Sequence, residues 1–240
     1  MNIKAYTSRP SGTARLGSPA IDAGLRRYML SVYNYMAVGL AMTGLVATIA
    51  VATGFYQQIA ETPLIWLVML APLAAVLFLS VRIDRMSFAM AQTVFWVYAG
   101  LMGLSLAGIL LVYTGTSVAR VFFISAGTFA AMSLYGYSTR RDLSRLGSFL
   151  FMGLIGIVLA SVVNIFVASS VLHFAISVIG VLVFTGLSAY DTQRIKEIYV
   201  TGRGGAEMAK LALMGALTLY LDFINLFVML LQLTGDRRGR

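Results

Sequence analysis

Seven apolar runs, each long enough to cross a bilayer, decide what this chain can fold into. They occupy residues 28–53, 63–81, 88–113, 118–137, 146–168, 171–190 and 210–233, and short polar breaks separate them. About 20 residues suffice to span the hydrocarbon core at a rise of about 1.5 Å each. Backbone N–H and C=O groups have no water to bond in lipid, so runs of this length must be helices. The alternative, a closed barrel, is built from much shorter alternating segments. The chain is 59% hydrophobic and 11% charged over 240 residues, whereas a soluble domain carries about 25% charged residues. The expected fold is therefore an all-α membrane protein with seven transmembrane helices.

The polar remainder fixes the organisation. Residues 1–27 are rich in small and turn-forming residues and are expected to form a flexible cytoplasmic arm. Residues 28–235 form the transmembrane domain, and residues 236–240 a basic tail. The net charge of +9 is assigned to orientation and not to a nucleic acid, because Lys and Arg lie between the apolar runs. With the N-terminus inside, all of the 18 Lys and Arg except Arg120, Arg237, Arg238 and Arg240 fall on the cytoplasmic side. Those last three argue against the rule, since seven crossings place the tail outside. Two explanations stand: an incomplete last crossing, or an orientation set by the earlier loops, which is preferred. The protein is thus placed in a membrane with its N-terminus cytoplasmic and the lipid bilayer as its main partner.

No cysteine is present and His173 is the single histidine, which excludes disulfides, thiolate chemistry and His-built metal sites. No cofactor or resident metal is expected.

Two acids stand apart from the seven others, which sit in loops, tails or span edges. Asp222 lies 12 residues past Lys210, roughly 18 Å along a helix, near the middle of the last run. A charge at that depth costs about 2.5–3.5 kcal/mol on insertion scales, so such a residue faces the bundle interior. Thr218 and Asn225 fall one turn either side of it and extend the polar stripe. The stripe places the last helix inside the bundle. Asp191 ends the sixth run by hydropathy. However, Ile195, Ile198 and Tyr199 continue an apolar face for about two more turns, which would bury Asp191 more deeply. Two carboxyls brought together at low dielectric cannot both ionise cheaply and share one proton. Ionised, the pair attracts a cation, and oxygen ligands suit calcium. Too few acids are present for a tight calcium cage, so calcium is expected as a weakly held, permeant ion.

The segments "GLSAYDTQRIKEIY" (residues 186–199) and "ALTLYLDFINLFVMLLQLTG" (residues 216–235) resemble the signature of the transmembrane Bax inhibitor motif family, in its bacterial branch. The resemblance implies a bacterial inner-membrane protein with six helices wrapped around a central C-terminal helix. It also implies a pH-dependent calcium leak governed by a hydrogen-bonded aspartate pair, at positions matched by Asp191 and Asp222. An Arg at the end of the second span is implied to latch the pair; "VLFLSVRIDRMSF" (residues 76–88) offers Arg82 and Arg85. Some bacterial members are associated with a membrane protease, which implies a regulatory or scaffolding role as the alternative.

Enzyme readings fit less well, and no catalytic residue is expected. An intramembrane aspartyl protease would use Tyr190–Asp191 but needs Gly-x-Gly-Asp at its second site, where this chain reads "LYLD" (residues 219–222). A serine hydrolase built on "GLSA" (residues 186–189) would have only His173 as base, about 22 Å away along the helix. A retinal protein would need a Lys deep in the last span, and Lys210 lies at its edge.

Overall fold

A computed structural model describes residues 19–200 and 205–239. Among the described residues the chain forms eight α-helices in the order α1 (Pro19–Ala52), α2 (Phe55–Ala60), α3 (Leu64–Arg82), α4 (Phe88–Val112), α5 (Gly115–Ser138), α6 (Ser144–Val167), α7 (Ser170–Val200) and α8 (Gly205–Thr234), with a 3-10 turn over Ile83–Arg85. No strand occurs among the described residues. Seven of the helices, all but the short α2, are long and apolar enough to cross a membrane. Residues 1–18 of the expected arm lie outside the described residues, and from Pro19 onward the chain is already helical.

At the heads of α4, α5 and α6, side chains accept free N–H groups. Ser87 accepts from Met90 N at 3.2 Å at the head of α4, and Thr114 accepts from Ser117 N at 3.3 Å at the head of α5. At α6 the Asp142 carboxylate accepts from Ser144 N at 2.8 Å.

Burial separates the helices sharply. In α8, 61% of the apolar window is buried inside the protein, against 11% in α3 and in α6. Helix α8 packs on α1, α4, α5 and α7, while α3 rests chiefly on α4 and α6 chiefly on α7. The large exposed side chains of the outer helices, such as Phe166 on α6 and Trp66 on α3, form the apolar surface that a lipid-embedded bundle requires. Small residues set the close approaches. A Cβ at Gly103 in α4 would fall 2.5 Å from the Thr43 carbonyl oxygen of α1, and one at Gly136 in α5 would collide with the Ala189 backbone of α7.

Buried hydroxyls tie the bundle together. Thr43 Oγ1 lies 2.9 Å from both the Gly39 and Ala99 carbonyls and 2.6 Å from Tyr220 Oη. Its single hydrogen goes to a carbonyl, so Tyr220 must donate to Thr43. This joins α1, α4 and α8 at one point.

The two ends of α8 are fastened. Near its start, Lys210 Nζ donates to the Met86 carbonyl at 2.9 Å and holds the turn after α3. At its end, the tail folds back onto the α4–α5 connection. Thr114 N donates to Asp236 O at 3.0 Å, Arg238 N to Val112 O at 2.9 Å, and Asp236 N to Ser117 Oγ at 2.9 Å. Arg120 pairs with Asp236 at 3.0 Å. The basic tail thus lies at the same end of the bundle as Arg120, which fits a complete crossing by α8.

Candidate functional site

Helix α7 runs unbroken to Val200, ten residues past the end of the hydropathic run. The continuing apolar face is the cause. Ile195 is buried against Gly215 of α8, and Tyr199 stacks on Tyr28 of α1 with ring centroids 5.4 Å apart. Asp191 therefore sits within the helix and not at its end.

The opposite side of α7 is held rigidly. Thr192 gives its hydrogen to the Ser188 carbonyl at 2.7 Å, so Ser133 of α5 donates to Thr192 at 2.7 Å and Tyr33 of α1 donates to Ser133 at 3.0 Å. Gln193 accepts from Leu143 N at 2.9 Å and donates to the Arg141 carbonyl at 2.8 Å. Lys196 Nζ donates to the Tyr137 carbonyl at 2.7 Å. Helix α7 is thereby locked to α5 and to the α5–α6 loop, and Asp191 is presented from a fixed support.

Asp191 and Asp222 line one cavity of about 620 Å³ between α6, α7 and α8. The two acids are thus brought to one cavity from neighbouring helices, Asp191 from α7 and Asp222 from α8. Asp222 is 5% exposed, and its Oδ2 is buried with no donor among the described residues. An ionised carboxylate is an acceptor only, so neither acid can donate to the other unless one of them carries a proton.

Thr218 and Asn225 line the same cavity, yet their donors bond their own helix: Thr218 Oγ1 to the Met214 carbonyl at 3.1 Å, and Asn225 Nδ2 to the Leu221 carbonyl at 2.8 Å. Neither has a hydrogen bond to Asp222. Arg82 and Arg85, expected as the latch, are exposed at the end of α3 and in the turn after it, and neither lines the cavity. The cation that lines the cavity with the two acids is Arg194, an exposed residue one turn beyond Asp191 along α7. The spacing of three residues was the available signal; positive-inside counting absorbed Arg194 as an ordinary cytoplasmic charge. Gly147 of α6 was also not singled out. It lies flat beneath the Tyr190 ring, where a Cβ would overlap the ring atoms, and it lets α6 approach the site. No group of three or more His, Cys, Asp or Glu stands ready for a metal among the described residues.

Seven apolar helices with a buried acidic cavity define a polytopic helical membrane protein. The match is more specific than that class: the family model described as "Inhibitor of apoptosis-promoting Bax1" covers residues 25–239, and the chain belongs to this Bax inhibitor family. RP147 of Rickettsia prowazekii (strain Madrid E) is 50% identical over 234 residues, covering 97% of this chain and 98% of the relative. "Inner membrane protein YbhL" of Escherichia coli (strain K12) is 47% identical over 220 residues, covering 90% of this chain and 94% of the relative. A Deinococcus radiodurans protein is 42% identical over 214 residues, covering 89% and 92%. Neither the family description nor these names indicate a catalytic activity.

Proposed function

We propose that the chain is a pH-sensitive cation leak of the inner membrane, with calcium the expected ion and Asp191 and Asp222 as its proton-sharing gate. The observation that carries this reading is the buried Asp222 Oδ2 with no donor, beside a second carboxyl, in a cavity of about 620 Å³. A carboxyl pair in that setting holds either a proton or a positive ion, and exchange between the two is a gate. With the proton bound, the acids bond to each other; without it, they hold a cation. The latch role expected of Arg82 or Arg85 passes to Arg194, the guanidinium at the cavity. Helix α8 serves as the axis of the bundle in this reading, fastened at both ends, so that Asp222 keeps its depth while the occupant changes. The name of the relative YbhL supports the inner membrane, and the distribution of Lys and Arg supports a cytoplasmic N-terminus.

Calcium efflux from proteoliposomes, measured across pH, tests this. Wild-type protein should give a pH-dependent flux that Asp191→Asn or Asp222→Asn removes. Flux unchanged in both variants leaves the rival reading, a membrane scaffold or modulator of a membrane protease whose polar stripe specifies helix packing.

A further inference from the structure

We propose that the Asp191–Asp222 cavity binds a protonated primary amine carried on an apolar body. The inference rests on the reading of the pair as a site that exchanges a proton for a cation, and it names a ligand class for that site. At about 620 Å³ the cavity falls within the ~300–1,000 Å³ usual for small-molecule sites, and it has their character: apolar walls with a few convergent polar groups. Phe151, Leu154, Phe184 and Leu187 supply the walls. The polar groups converge on Asp222, which is 5% exposed and whose Oδ2 has no donor among the described residues.

The donor inventory favours N–H over a bare ion. A calcium ion takes about 6–8 oxygen ligands. The cavity is lined by two carboxylates and by Asn225, whose amide nitrogen is already bonded to Leu221, while no third acid joins them among the described residues. A primary ammonium has three N–H groups, and Asp222, Asp191 and Asn225 are the acceptor-bearing residues lining the cavity to receive them. The ionisable groups facing it are Asp191, Arg194 and Tyr190 from α7 and Asp222 from α8; α6 contributes none to the lining. Arg194 lies exposed at the rim, where solvent weakens its repulsion of an incoming cation. The apolar body has a way in: α6 packs chiefly on α7, and Phe151 on that side is 58% exposed. An amphiphile can enter from the lipid, bury its ammonium at the acids and leave its chain along α6. Its binding displaces the shared proton.

The test is calorimetric titration of the detergent-purified full chain with n-hexylammonium chloride, repeated in buffers of different ionisation enthalpy to count released protons. Saturable binding with proton release is expected. Hexyltrimethylammonium, which has the same chain and charge but no N–H, should bind about tenfold more weakly, because hydrogen bonds to charged groups are lost. Asp222→Asn should abolish binding. Leu154→Trp, which narrows the cavity and leaves both acids in place, should weaken binding, so that a folding defect of the first variant does not decide the matter. Titration in nanodiscs of ethanolamine-headgroup against choline-headgroup phospholipid separates the sources of the amine. Suppression by the former points to a lipid headgroup, and equal binding points to a free amine. No saturable binding, equal affinity for the quaternary compound, or full binding in both variants overturns the proposal. Calcium flux without amine binding removes this inference and leaves the leak; amine binding without flux does the reverse.

Discussion

Replacing Thr43 with Val removes a hydroxyl at the junction of α1, α4 and α8 while nearly preserving shape. In the wild type Tyr220 donates to Thr43 over 2.6 Å, and Tyr220 has no exposed surface. Thr43→Val leaves that phenol without its acceptor, and stranding a buried donor costs about 1–3 kcal/mol. Tyr220→Phe is milder, because Thr43 keeps a carbonyl to bond; about 0.5–1.5 kcal/mol is expected, the net contribution of one hydrogen bond. The double variant strands nothing, so it should be more stable than the sum of the single losses predicts. The coupling should fall near the ~0.6–1.7 kcal/mol measured between membrane helices. Unfolding in graded mixtures of denaturing and mild detergent, followed by helical circular dichroism, measures all four corners of this cycle. Strictly additive losses would refute the assigned bond direction and with it the account of how α8 is held.

Other outcomes follow from the same structure. Gly136→Val should prevent the close α5–α7 approach and cost at least the ~1–3 kcal/mol of an overpacked core, visible as lost monodisperse protein in size-exclusion chromatography, whereas Gly127→Val, with nothing near its Cβ, should purify normally. Arg120→Gln should lower thermal stability only slightly, within the ~0.2–1 kcal/mol of exposed ion pairs, and the difference should vanish in high salt, because both partners of the Arg120–Asp236 pair are more than half exposed. At the head of α6, hydrogen bonds from Ser144 hold the Asp142 carboxyl below the usual carboxylate range. A depressed folded-state value means that this cap is intact above the unfolded value and lost as pH falls through the folded one; the protection of the Ser144 amide, measured against its intrinsic exchange rate at each pH, should therefore fall on strong acidification in the wild type and show no such step in Asp142→Ala.

The spans were legible because lipid permits few ways to satisfy a backbone, so run length alone dictates helix. The burial of Asp222 was legible for the same reason: an acid amid "LTLYLDFINLF" has nowhere inexpensive to point except inward. The extension of α7 could be read from Ile195 and Tyr199, whose periodicity outlasts the hydropathy. The partners of the polar stripe could not. Thr218 and Asn225 face the cavity as the spacing requires, yet each turns its donor to its own helix, a choice set by local geometry that no spacing encodes. Arg194 was hidden by chemistry that serves two purposes, since a cytoplasmic-edge Arg satisfies the orientation rule whether or not it touches an acid. The tail was hidden more completely. Its fastening to residues 112–114 consists mainly of backbone hydrogen bonds, which leave no mark on residue type. The six-residue α2 is too short for a periodicity to register.

The most direct measurement is the pH profile of calcium flux in proteoliposomes carrying Asp191→Asn, Asp222→Asn and the double variant, each compared with wild type. Two acids acting on one proton predict that either single change flattens the profile and that combining them adds nothing further. Independent effects that sum in the double variant, or a single variant that keeps the full wild-type profile, would contradict a shared proton between α7 and α8.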